Sequence, residues 1–81
     1  MLMTKQEMQE MLRVGVRTVT FTKTNGDQRI MRCTLHHSYL PEQTDIEEQI
    51  ARDTRSDTVA VWDIEKDGWR SFRIDAVTAV A

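Results

Sequence analysis

The chain has one cysteine, one proline and three glycines in 81 residues. A lone thiol, Cys33, cannot close an internal disulfide, so packing and hydrogen bonds must hold the fold, and a reducing cytoplasm is the compartment that suits it. No apolar run approaches the roughly 20 residues that cross a bilayer as a helix. The start, MLMTKQEMQEM, has neither the basic beginning nor the apolar core of a secretory signal. The three glycines stand apart, so there is no glycine-rich phosphate loop, and neither a nucleophile elbow nor H-E-x-x-H occurs. Enzymatic activity is not expected, and no cofactor is. Zinc takes four ligands, usually with a second clustered pair. Cys33, His36 and His37 have no such pair to join, so no metal is expected, and Cys33 shares a face with Met31 and Leu35 that reads as core.

The length allows one domain, 1–81, with a small core. Net charge is −2, which argues against a general coat for nucleic acid. The charge is unevenly placed. From Arg13 to His37 there are Arg13, Arg17, Lys23, Arg29 and Arg32 against Asp27 alone. From Glu42 to Asp57 there are Glu42, Asp45, Glu47, Glu48, Asp53 and Asp57 against Arg52 and Arg55. A local basic face on an acidic protein is one reading. Solvated strand faces and a solvated loop are the other.

Residues 1–15 read as an N-terminal helix. Thr4 and Glu7 make a T-x-x-E capping box, Met8, Met11 and Leu12 follow helical spacing, and Gly15 is a stop. Residues 16–35 read as a hairpin. Val19 and Phe21 alternate with threonines, Asn25-Gly26 supplies a two-residue turn with both residues at positive φ, and Met31, Cys33 and Leu35 share a face on the return strand. Residues 36–57 form a long acidic connection in which Thr44 or Asp45 could cap a short helix carrying Ile46 and Ile50. Residues 58–80 read as a second hairpin and a last strand. TVAVWDI is apolar on both faces and therefore central, with Trp62 in a core register. Asp67-Gly68 makes the turn, WRSFRI returns, and Val77 and Val80 belong to a short fifth strand after a bend near Asp75-Ala76. A helix followed by about five short antiparallel strands predicts a mostly β fold, a small, partly open SH3-like or Sm-like barrel.

VAVWD, a charged turn ending in glycine, then WRSFRID resembles the C-terminal strands of WYL domains, which run apolar-alanine-aromatic-Asp, turn, W-R-x-F-R-L-D. Trp62 stands where that family usually has tyrosine, and Ile74 where leucine is common. The Trp-Tyr-Leu tripeptide that names the family would precede VAVWD, where this chain has Ser56-Asp57-Thr58. Through FTKTNGDQRIMRCTL, YLPEQ and VAVWDIEKDGWRSFRID, most of residues 16–80 also resembles compact SH3-like or Sm-like barrel proteins of tailed bacteriophages. The resemblance implies a ligand-sensing domain with nucleic acids or nucleotides as ligands and basic residues at the pocket. By position, Arg70 and Arg73 match the arginines of W-R-x-F-R. It also implies the cytoplasm of a host cell.

Arg70 and Arg73 are three apart, so on a straight strand they point to opposite faces and cannot share a pocket without a bulge. Either one forks onto a phosphate, or they form structural ion pairs, for example with Asp63 or Asp75. Trp69, beside the turn, is the better placed tryptophan for stacking a base. The reading is a non-catalytic binding module that takes a nucleic acid or nucleotide-like ligand, with Arg17, Arg29, Arg32, Trp69, Arg70 and Arg73 as candidate contacts. The alternative is a protein-interaction module that modulates a host complex through Glu47 and Glu48. No membrane partner is expected, and free sheet edges would allow a homo-oligomer under either reading.

Overall fold

The computed structural model describes residues 3–42, 44–55 and 57–81. Met1, Leu2, Gln43 and Ser56, which fall in the expected N-terminal helix and acidic connection, lie outside the described residues. Helix α1 is Lys5–Val14, and its capping box is closed on both sides. The Thr4 hydroxyl accepts from the Glu7 amide at 3.1 Å, and the Glu7 carboxylate accepts from the Thr4 amide at 3.0 Å. Met8 and Leu12, one turn apart, are fully buried. They carry the helix onto the sheet, since so short a helix needs tertiary packing to persist.

Strands β1 (Arg17–Thr22) and β2 (Gln28–Thr34) form the first hairpin, with Val19 opposite Met31 and Phe21 opposite Arg29. Its turn differs from the expected two-residue form. The Gly26 amide donates to the Lys23 carbonyl at 2.9 Å, and the Lys23 amide donates to the Asp27 carbonyl at 2.7 Å. Within this turn only Gly26 has positive φ, at 92°. Thr24 and Asn25 are therefore the corner, and Gly26 supplies the left-handed residue of a three-residue loop.

Beyond β2 the chain makes a single 3-10 turn at His37–Tyr39. Helix α2, Ile46–Arg52, follows, and Asp45 caps it by accepting from the Glu48 amide at 3.1 Å. Ile46 and Ile50 pack against the core, so this half of the connection is structured.

Strands β3 (Thr58–Asp63) and β4 (Gly68–Arg73) pair without a break from Thr58↔Arg73 to Asp63↔Gly68. Asp67 holds the left-handed position of the turn, φ 50°, and Gly68 already belongs to the strand. A 3-10 turn at Ile74–Ala76 leads to β5, Val77–Val80. The antiparallel sheet runs β4-β3-β2-β1-β5, leaving β4 and β5 as its outer strands, so the barrel is open along one seam. No helix among the described residues is long and apolar enough to cross a membrane.

On β3, Val59, Val61 and Asp63 are buried, while Thr58, Ala60 and Trp62 alternate away from them. Trp62 is thus half-buried on the face opposite the β3 core residues, which corrects the core register expected for it. Its indole meets Trp69, its direct cross-strand partner, edge to face at 5.6 Å. Two apolar faces on one strand carry no sign of which turns inward. Phe72 is in the core as expected, and Ile74 packs against its margin.

Candidate anion-binding cleft

The curl of the sheet brings β4 across to the β1–β2 hairpin. Phe21 and Phe72 stack there at 5.2 Å with their planes 24° apart. Above them opens a cleft of about 290 Å³. Lys23, Arg29, Arg70 and Arg73 line it, together with Met31 and the hydroxyls of Thr22, Thr24, Thr58 and Ser71. No aspartate or glutamate is among the lining residues.

The four cations are not equivalent. Arg29 lies 3.2 Å from the carboxylate of Asp63, which is 1% exposed. The other Asp63 oxygen accepts from the amides of Glu65 at 2.9 Å and Lys66 at 3.2 Å, tying the ion pair to the β3–β4 turn. Arg73 grips Asp75 through two parallel bonds of 3.0 and 2.9 Å. That grip holds the Asp75 carboxyl below the usual carboxylate range and raises Arg73. Lys23 and Arg70 have no ion-pair partner among the described residues, and Arg70 only touches the Trp69 carbonyl, at 3.3 Å. An incoming anion would therefore meet two uncompensated charges backed by two arginines held in place.

Residues 5–78 match the WYL_2 family, described as an Sm-like SH3 β-barrel fold. The chain belongs to that family. It is a WYL-related protein of phage type. An uncharacterized 11.5 kDa protein of Enterobacteria phage T4, from the Gp31-cd intergenic region, is 34% identical over 70 residues, covering 85% of this chain and 69% of the T4 protein. No solved structure matches.

In this WYL_2 chain the six residues singled out from sequence do not form one site. Arg29, Arg70 and Arg73 meet in the cleft. Arg70 and Arg73 both line it although β4 carries no bulge, which corrects the expectation that they could not share a pocket. Alternation still sends them to opposite faces, but β4 is an edge strand, and two long side chains can reach around a free edge. Arg17 is half-buried opposite Cys33 and lies outside the lining. Arg32 is exposed beside Ile30 on the outer face of β2, and Trp69 packs against Trp62 and the core margin. Lys23 was missed. It belongs to the basic run from Arg13 to Arg32 but not to the candidate contacts, although it stands two residues past Phe21 in the same alternation.

The remaining candidates are also placed. Glu47 pairs with Arg13, joining α2 to α1, and Glu48 pairs with Arg52 one turn along its own helix. His36 and His37 stack at 4.5 Å, and the His36 Nδ1 accepts from the Ser38 amide at 3.1 Å. Cys33 is buried, and desolvation, with Asp63 nearby, pushes its thiol up to about 12. No cluster of three His, Cys, Asp or Glu able to hold a metal occurs among the described residues.

Proposed function

We propose that the protein is a non-catalytic binding module that takes a nucleic-acid strand or a nucleotide-like anion in the cleft between β4 and the β1–β2 hairpin. The lining carries this reading: Lys23, Arg29, Arg70 and Arg73 with no carboxylate among them. On a chain of net charge −2, such a concentration of cations makes a local attractive field. Guanidinium forks match phosphate oxygens in pairs, and the surrounding hydroxyls can both donate and accept. A phage accessory or regulatory role, exercised in the host cytoplasm, is the setting we propose for it, and the relative in phage T4 supports the phage part of that reading. Interaction with a host protein through Glu47 and Glu48 has less support, since both carboxylates already pair with arginines of the same chain. Self-association through the free edges of β4 and β5 is compatible with the cleft reading.

Fluorescence anisotropy with labelled single-stranded DNA and RNA tests the proposal. Binding at low salt should weaken steeply as salt rises. Lys23→Ala and Arg70→Ala should each weaken it by roughly tenfold or more, about one charge-assisted hydrogen bond apiece. No response to either nucleic acid at low salt would overturn the reading.

A further inference from the structure

The cleft has a neighbour. A second depression of about 230 Å³ is walled by Gln49, Arg52, Asp53 and Arg55 from α2 and the turn after it, and by Ala60 of β3. Thr58 and Ser71 line both hollows, so the two are neighbours across the β3–β4 pair. The one carboxylate in the second lining is already engaged. Asp53 lies 3.0 Å from the Lys5 ammonium and accepts from the Ala60 amide at 3.0 Å. Arg52 pairs with Glu48 at the surface, and the Arg55 guanidinium has no ion-pair partner among the described residues.

We infer that the two hollows form one track, which takes an extended single strand of nucleic acid in preference to a free mononucleotide. Arg55 and Arg52 hold a phosphate beyond the one held at Lys23 and Arg70. The inference rests on the cleft being a nucleic-acid or nucleotide-like site, and it adds Arg52 and Arg55 to that site. Neither hollow exceeds the low end of the usual small-ligand range, about 300 Å³, so each has room for one nucleotide-sized unit at most. Each further phosphate neutralised releases counterions and strengthens binding. A flexible strand can follow two adjoining hollows, as strands do along other cationic grooves.

Thymidine monophosphate, the thymidine dinucleotide and oligothymidylates of increasing length, competed against a labelled oligothymidylate, test the track. Affinity should rise roughly tenfold or more from mononucleotide to oligomer. Arg55→Glu should weaken the oligomer by roughly tenfold and the mononucleotide far less, while Arg70→Ala weakens both. Arg55→Ala should lower the salt slope for the oligomer by about one. Arg55 is exposed, so both variants keep the fold, checked by circular dichroism. Equal affinity for mononucleotide and oligomer, or no effect of Arg55→Glu, would overturn the track and leave the cleft reading standing. Failure of every ligand to bind at low salt would overturn both.

Discussion

The Lys5 ammonium lies 3.0 Å from the Asp53 carboxylate and 2.9 Å from the Asp53 carbonyl. It also donates to the Arg55 carbonyl, so one side chain from the first turn of α1 gathers the end of the α2 segment. The carboxylate has a second task. β2 pairs with β3 only at Asp63 and Trp62, which leaves the first half of β3 unpaired on that side. The other Asp53 oxygen takes up the Ala60 amide there. A half-buried amide without a partner would be costly, and the acidic connection supplies that partner.

Asp53→Ala removes both contacts and leaves a mostly shielded ammonium without its anion. It should cost about 2–3 kcal/mol. Asp53→Asn keeps an acceptor for the Ala60 amide and should cost about 1 kcal/mol. Urea midpoints give the size of each loss. Hydrogen exchange at Ala60 should quicken in the alanine variant more than exchange in β1. Equal protection of Ala60 in both variants would show that the carboxylate does not guard the strand.

Asp63 offers a second handle. Replacing it with alanine strips the Arg29 guanidinium of its buried counter-charge and two turn amides of their acceptor, so a loss of about 3 kcal/mol or more is expected. Asp63→Asn can still receive the turn amides and should lie well below that. Denaturation curves for the two variants decide. Equal losses would mean that the charge pair, and not the turn, sets the cost.

Both hairpins were legible because their apolar residues alternate over whole strands, and the capping box fixed the start of α1. Trp62 was misplaced because alternation gives the face of a residue and not the direction of the core. The hairpin turn was misread because Asn-Gly fits a two-residue turn and a three-residue loop alike. Only the register, Thr22 opposite Gln28, separates them. The cleft could not be read at all from local pattern. It exists because Phe21 and Phe72, far apart in sequence, are stacked by the curl of the sheet, and that contact brings Lys23 and Arg70 to one opening. Alternation holds for Arg70 and Arg73 and sends them to opposite faces, but at the free edge of β4 both long side chains reach one opening.

Two glycines should respond in opposite directions. Gly26 stands at φ 92°, where a side chain is strained, and Gly26→Ala should cost about 1 kcal/mol. Gly15 follows α1 in extended backbone, φ 175°, and an added Cβ meets nothing within 4 Å. Gly15→Ala should therefore be neutral or stabilise by about 0.5 kcal/mol, by restricting the unfolded chain. Thermal melts of the two variants separate the cases, and a destabilised Gly15→Ala would contradict the extended assignment.

Cys33 gives a pH-dependent prediction. Burial raises its thiol to about 12, so between the ordinary thiol range and that value the folded chain keeps a proton that the unfolded chain has lost. The unfolded state then binds fewer protons, and stability falls as pH rises through this window. Below the ordinary thiol range the term has no slope. Comparison with Cys33→Ala isolates it, because other groups titrating at high pH are common to both proteins. The difference in unfolding free energy between them should be flat at neutral pH and should shift against the wild type in alkali. The same shielding should make the thiol inert to alkylation at neutral pH until denaturant opens the core. Rapid modification of the native protein, or a difference that stays flat in alkali, would show that the thiol is reached by solvent.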